Sequence, residues 1–312
     1  MQVIVASFAA VFPLLCFMLA GGLLGRTPIL SRSTADALNI MVFRVFLPLS
    51  IIENIACADL GGVFDPKCAL FVAVSCLCTY TALELMERAS HDPPDIAPVV
   101  VQGIHKANYT LLVIPIVSSF YPDDPGMSVV LIAVITPIVN ICSTLSFISR
   151  SGRKLSPGEL ARAIVTNPMV LSSIIGIALN LSGITLPALF MEKVISKLAA
   201  MATPLAMISL GSTFAFGEMG TYRRELTRVC MGKLILMPLV LTGAAALIGI
   251  RGADLIAVLV YSGAPTAVNS YSTAASMGGD SVLAGQIVAL TSALSIVTLF
   301  GWLCLLGSLG LI

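Results

Sequence analysis

Two short runs hold the residues best placed to do chemistry. One is Lys106, Ala107, Asn108, Tyr109 and Thr110, followed by Pro115; the other is Ser262 to Tyr271, which contains Pro265, Thr266, Asn269 and Tyr271. Each lies in the middle of an otherwise apolar segment. A side-chain amide both donates and accepts hydrogen bonds, the hydroxyls of Thr110, Ser262, Thr266, Ser270 and Tyr271 add contacts, and a proline interrupts the helix that carries them. A broken helix presents new ends: free N–H groups and the positive end of the dipole favour an anion, while unwound carbonyls favour a cation. The chemistry on offer is non-covalent capture of a polar solute. The competing reading is that these groups only mend the backbone around Pro115 and Pro265 or join neighbouring helices.

Charged residues within apolar runs are few, and each asks for a reason. A lysine at the centre of a spanning helix costs roughly 2.5–3.5 kcal/mol on insertion scales, so Lys106 needs a partner or a task such as attracting a carboxylate. It also lies nine residues after Ala97, roughly 13 Å at 1.5 Å per residue, near enough for its stem to snorkel to the interface. The sequence leaves both readings open. Glu53 is the best carboxylate for proton coupling, against simple solvation near the outer end of its run, and His105 is the imidazole that a coupled proton could use, against a structural hydrogen bond. Arg44 and Glu53, nine residues apart, fall on opposite faces of one helix and do not pair with each other. Lys233 is expected to snorkel, and Glu84, Glu87 and Arg88 to form a solvated cluster.

Other chemistries lack candidates. The sequence holds no aspartate pair deep in an apolar run, and no HExxH, GxGD, GxSxG or GxxxxGK[ST] motif. No catalytic residue, metal site or cofactor is therefore expected, and an intramembrane enzyme is disfavoured. The eight cysteines, at 16, 57, 68, 76, 78, 142, 230 and 304, lie in or beside apolar runs without a CxxC pair, as small packing residues do.

The elements that must position these groups are membrane helices. Of 312 residues 57% are hydrophobic and only 11% charged, against about 25% charge in soluble domains. At about 20 residues per span, ten segments are expected: Val3–Leu24, Ala35–Ala58, Lys67–Met86, Ala97–Tyr121, Met127–Ile148, Ala163–Leu181, Ile195–Phe216, Val229–Ile250, Leu255–Ser276 and Val282–Leu309. The first is too long for the core of a signal peptide and lacks a basic residue before it. The connections after odd-numbered spans carry ten lysines and arginines and those after even-numbered spans carry four, so the odd connections are expected in the cytoplasm and both termini outside.

The two halves repeat. Pro13 and Gly21 recur 155 residues later as Pro168 and Gly176, and Pro48-Leu49 recurs 156 residues later as Pro204-Leu205. Extended to the polar runs, that register pairs the fourth span with the ninth. The expected fold is thus all-α and integral to the membrane: ten helices as two five-helix repeats, residues 1–150 and 151–312. Because five is odd, the second repeat is inverted. A broken helix in each half of an inverted repeat places a transport site where the breaks meet.

The runs FRVFLPLSII in span two, KANYTLLVIP in span four, NPMVLSSIIGIAL in span six, TPLAMISLGSTF in span seven and GAPTAVNSYSTAASMGGDS in span nine resemble the auxin efflux carrier family, which includes bacterial malonate-transporter-like permeases. The resemblance covers nearly the whole chain in order. It implies a scaffold of spans one, two, six and seven, a transport domain of spans three to five and eight to ten, crossing of spans four and nine at prolines, an organic anion as cargo and an elevator-like motion in the cytoplasmic membrane. Where bacterial relatives often carry glycines between the asparagine and proline of span four, this chain has Thr110 and Val113. Its central connection, Arg150 to Arg162, is far shorter than that of the plant carriers.

The function expected is a permease for a small carboxylate. The expected binding residues are Asn108, Lys106, Tyr109, Thr110, Pro115, Pro265, Thr266, Asn269 and Tyr271, with Glu53 and His105 as proton-coupling candidates. The rivals are a sodium-coupled symporter of the bile-acid type and a ligand-binding membrane sensor. The expected partners are the anion and the lipid bilayer, with no nucleic acid; the oligomeric state is open, a homodimer included.

Overall fold

The computed structural model describes residues 2–58, 65–122, 126–152, 156–183, 191–213 and 220–312, with side chains described from residue 12 onward except at 192. The expected charges Arg153 and Lys154 and the expected end of the seventh span at Phe216 lie outside the described residues. Within them the secondary structure is helical: α1 (Gln2–Leu24), α2 (Arg32–Ala56), α3 (Pro66–Ser90), α4 (Ala97–His105), α5 (Tyr109–Phe120), α6 (Val130–Ser149), α7 (Pro157–Val165), α8 (Pro168–Ser182), α9 (Lys193–Thr213), α10 (Arg223–Leu247), α11 (Gly252–Gly263), α12 (Asn269–Met277) and α13 (Ser281–Ser308). Among the described residues six helices, α2, α3, α6, α9, α10 and α13, are long and apolar enough to cross a bilayer, and a seventh span results if the pair α7 and α8, bent by 69°, is taken as one. The protein is an integral membrane protein.

Local chemistry sets the helix ends. Asp65 caps α3 by accepting from the Lys67 N–H at 2.9 Å, Asn167 caps α8 through the Met169 N–H, and Asp280 caps α13 through the Leu283 N–H. The Asn167 cap and Pro168 at the first helical position also correct the expected sixth span. It begins at Pro168, and Ala163 belongs to a separate helix, α7, with its own Ser156–Glu159 capping box. Prolines inside the bundle leave carbonyls that other groups must take up. Pro238 has no N–H for the Leu234 carbonyl, and the indole of Trp302 donates to it at 2.9 Å.

Two helix crossings stand out for their closeness. Gly21 of α1 lies on the Ile208 carbonyl of α9 and Gly211 of α9 on the Met18 carbonyl of α1, so a Cβ at either glycine would enter the opposing backbone. At Gly176 of α8 an added Cβ would stand 2.9 Å from the Ile55 Cβ of α2. There Asn180 donates from its amide to the carbonyls of Ile55, Ala56 and Ala58 at 3.0, 3.1 and 2.7 Å, closing the C-terminus of α2. Gly21 and Gly176, the pair noted in the sequence, are thus both contact glycines. Small residues of this kind let membrane helices approach backbone to backbone.

Buried apolar side chains form one cluster mainly from α1, α2, α8 and α9 and two others mainly from α3 to α6 and α10 to α13. Ion pairs tie the second group together. Glu84, expected in water, is buried and meets Arg150 in a two-pronged pair at 2.8 and 2.9 Å. Glu87, also buried, pairs with Arg228 at 3.2 Å, and Arg228 reaches Asp92 as well. The solvated cluster of the sequence reading is therefore corrected for Glu84 and Glu87, while Arg88 is exposed as expected: helix periodicity gives no sign that the end of α6 and α10 lay arginines over the end of α3. Burial alone would raise the Asp92 carboxyl, but Arg228 and Arg224 outweigh it and hold it below the ordinary carboxylate range. Its contribution to stability is present at neutral pH and lost as pH falls through that lowered value.

Candidate functional site

The two polar runs meet. The chain leaves helix after His105, runs extended through Lys106 (φ −90°, ψ 118°), and resumes at Tyr109. It leaves helix again after Gly263 and resumes at Asn269. The extended stretches pair antiparallel, with Ala107 opposite Thr266. The Asn108 N–H donates to the Pro265 carbonyl at 2.8 Å and the Ala267 N–H donates to the Lys106 carbonyl at 3.2 Å. These bonds are related by a local two-fold relation in which residues 108 and 106 correspond to 267 and 265, a register of 159. Unwound chain at this depth is tolerable because it is paired and buried.

Side chains take up what the pairing leaves. The Thr266 hydroxyl donates to the Gly103 carbonyl at 2.6 Å, in the last turn of α4, and Thr291 on α13 accepts from the Thr266 N–H at 3.1 Å. Pro265 has no N–H for the Tyr261 carbonyl, and the ammonium of Lys233 stands 3.3 Å from it. Lys233 is fully buried, so it does not snorkel as expected. It completes the C-terminal end of α11, where a cation is favoured.

In front of the crossing lies a cavity of about 740 Å³. It is walled on one side by Lys106 to Leu111 and Ala267 to Asn269, and on the others by α1, α2, α6 and α9. Into it come Lys106, Asn108, Thr110, Pro115 and Asn269 of the sequence-expected binding set, and Glu53 of the proton-coupling pair. Tyr109 also lines it, although its hydroxyl is committed to the Ser128 carbonyl at 2.9 Å. Pro265, Thr266 and Tyr271 stand elsewhere. Pro265 and Thr266 build the crossing itself, and the Tyr271 hydroxyl meets that of Thr213 at 2.9 Å. His105 is buried against α3, where its Nε2 donates to the Cys76 carbonyl at 2.9 Å and its ring packs on Tyr80.

Sequence reasoning missed Asn140 of α6, which also lines the cavity. An amide inside an apolar run just beyond Thr136 and Pro137 was the available signal.

The unsatisfied atoms give the site its sign. Lys106 is 3% exposed, and among the described residues its Nζ has no hydrogen-bond partner. The same holds for the Nδ2 atoms of Asn108 and Asn140. All three are donors, and they are joined by the first-turn N–H groups of α5, which no side chain caps; at α12 the Ser270 and Tyr271 N–H groups already donate to the Ala267 and Val268 carbonyls. Asn269 adds a free amide oxygen, Oδ1. Buried donors without acceptors are costly, and donors on three residues that line one cavity suit the oxygens of an anion.

Known proteins are similar over the whole chain or about half of it. A family model described as "Membrane transport protein" matches residues 6–159 and 153–303. A protein of Methanothermobacter thermautotrophicus named "Uncharacterized transporter" is 24% identical over 306 residues, which cover 96% of this chain and 99% of that one. A protein of Rhizobium meliloti (strain 1021) named "Putative malonate transporter" is 30% identical over 155 residues, 48% of this chain and 47% of that one.

Proposed function

The chain belongs to the membrane transport protein family, and on that premise we propose that it is a secondary transporter moving a small organic anion, a carboxylate, across the cytoplasmic membrane. The single observation that carries this reading is the set of unpaired buried donors, Lys106 Nζ, Asn108 Nδ2 and Asn140 Nδ2, around one cavity at the crossing of two broken helices. A carboxylate would sit against Lys106, Asn108 and Asn140, with the N-terminus of α5 completing its contacts, while the Asn269 amide oxygen would take a donor elsewhere on the cargo. The name of the Rhizobium meliloti relative favours a short dicarboxylate among carboxylates.

The architecture we propose counts α4 with α5 and α11 with α12 as single broken spans, and takes α1 and α8 as spans as well. That yields ten spans in two inverted repeats, with both termini outside. Two packings support it: α1 lies on α9 and α2 on α8, and the repeat register converts the first contact into the second. The division of the apolar core supports a scaffold of α1, α2, α8 and α9 beside a transport domain built from the remaining spans. The cavity lies between the two. Sliding of the transport domain past the scaffold, carrying the crossing, would expose the site to each side in turn. Glu53, on the scaffold face of the cavity, is the candidate for proton coupling, whereas His105 is turned to Cys76 and away from it.

Uptake of labelled mono- and dicarboxylates into proteoliposomes tests the function. Accumulation of at least one organic anion above protein-free vesicles is expected. No uptake across a broad panel would sink the reading. A steep loss of uptake when choline replaces sodium would move the protein to the sodium-coupled class, and saturable binding without accumulation would make it a sensor.

A further inference from the structure

The cavity is not uniformly suited to negative charge. Among the described residues that line it, Lys106 is the one cation and Glu53 the one carboxylate. The first lies at the crossing and the second on α2, with Ser50 and Asn54 on the same face, where the Asn54 amide approaches the Ser50 hydroxyl at 3.4 Å. Tyr109, the other titratable group there, is bonded to the Ser128 carbonyl. The formal charge of the walls is therefore zero.

Among the described residues Glu53 has no ion-pair partner. On its own helix Arg44 is exposed on the opposite face and Cys57 is exposed. From α9 come Lys193 and Lys197, both exposed. From α12 comes Tyr271, bonded to Thr213, and from α6 comes Cys142, which is buried. From α8 comes no titratable group.

An anion with one carboxylate finds the donors at Lys106 and Asn108. A second carboxylate at its far end meets Glu53, and two carboxylates in one site disfavour each other's charged form. A proton on that far carboxyl turns repulsion into a hydrogen bond, since a protonated carboxyl donates and Glu53 accepts. We infer that the cavity selects organic monoanions whose far end donates a hydrogen bond, such as half-protonated dicarboxylates and ω-hydroxy acids, and excludes fully ionised dicarboxylates, with Glu53 as the residue that discriminates. This inference rests on the anion-transport reading above. It also implies that a dicarboxylate enters together with one proton, bound to the cargo.

The test is uptake into proteoliposomes, with the proton gradient collapsed, of malonate, succinate and glutarate, each beside its ω-hydroxy monoacid. Above the second pKa of the diacid the half-protonated form falls about tenfold per pH unit, so uptake should fall about as steeply between about pH 6 and about pH 8. Uptake of the hydroxy acids, which are monoanions throughout that range, should change less than about twofold. That comparison is made on the unmodified protein and does not depend on a variant folding. Glu53→Gln should reduce the pH 6 to pH 8 ratio for diacids by about tenfold or more, because the glutamine amide no longer repels a second carboxylate. Diacid uptake as fast at about pH 8 as at about pH 6, or a Glu53→Gln protein with an unchanged ratio, would overturn the inference and leave anion transport standing. Failure of every anion at both pH values would instead overturn the transport reading beneath it.

Discussion

Lys106→Met lowers uptake by about a hundredfold while raising thermal stability, and Asn108→Ala lowers uptake by about tenfold or more with stability little changed. A hydrogen bond to a charged group contributes about 1.5–3 kcal/mol, and each 1.4 kcal/mol is about tenfold in affinity. Lys106 adds the attraction of a full charge. The opposite sign for stability follows from its burial, since Lys106 is 3% exposed and its ammonium is unpaired among the described residues, and a buried charge without a partner costs several kcal/mol. Thr266→Val provides the contrast. Its hydroxyl holds the Gly103 carbonyl, so its loss should lower stability by about 1–3 kcal/mol. Uptake rates and melting temperatures of the three purified variants check the set. Lys106→Met with full uptake, or with a stability loss as large as that of Thr266→Val, would place Lys106 in the supporting structure and outside the site.

Gly211→Leu prevents accumulation of folded protein. The α1–α9 crossing has no room for even one Cβ at Gly211, because the Met18 backbone occupies that space. A leucine must push the two helices apart along their whole contact. Overpacking in an interior that can adjust costs about 1–3 kcal/mol, and here the obstructing atoms are backbone that cannot turn aside. Gly301→Ala is the matched control, since among the described residues nothing beyond the local helix backbone lies within 4 Å of a Cβ built there, and a helical glycine replaced by alanine gains about 0.5–1 kcal/mol. Yield and monodispersity after detergent extraction read both. A monodisperse Gly211→Leu protein at wild-type yield would mean that the crossing can open.

The sequence made the broad plan legible because membrane burial writes itself in long apolar runs, and the described helices fall where those runs lie. The two interruptions were legible for a similar reason: Asn108 and Asn269 each stand in a cluster of hydroxyl-bearing residues within an otherwise apolar run. Where the chain unwinds was less clear. Pro115 drew attention to itself, yet it lies inside α5, and the break falls instead at residues 106–108, where no residue type forbids a helix. Pairing with residues 265–267 holds it open, and such pairing is a tertiary fact. The register shows the same limit. An offset of 155 or 156 fits the scaffold prolines and glycines, whereas the crossing itself follows 159, because the helices leading into it differ in length.

Charges were the hardest to place from sequence. Lys233 sits near the start of an apolar run and looks free to snorkel, but the orphan carbonyl of Tyr261 lies within its reach. That carbonyl exists because Pro265 follows four residues later, a link across two helices that no local pattern reveals. Glu84 and Glu87 look solvated for the same reason, since their arginine partners come from α6 and α10. Of the expected binding residues, the ones that line the cavity and those that build the crossing alternate within a few positions. Thr266 and Asn269 differ in role although both are polar and lie within four residues of Pro265.

The anion is placed in the cavity before the crossing, and ligand protection at Thr110 tests that placement. Thr110 lines that cavity and is partly accessible, so a cysteine there should react with a small permeant maleimide, and peptide mass spectrometry separates it from the native thiols. Saturating transported anion should slow alkylation of Thr110→Cys by about tenfold or more while leaving exposed Cys304 unaffected, as occupancy of a shared cavity requires. Equal rates with and without the anion, in a protein that still transports it, would contradict that placement.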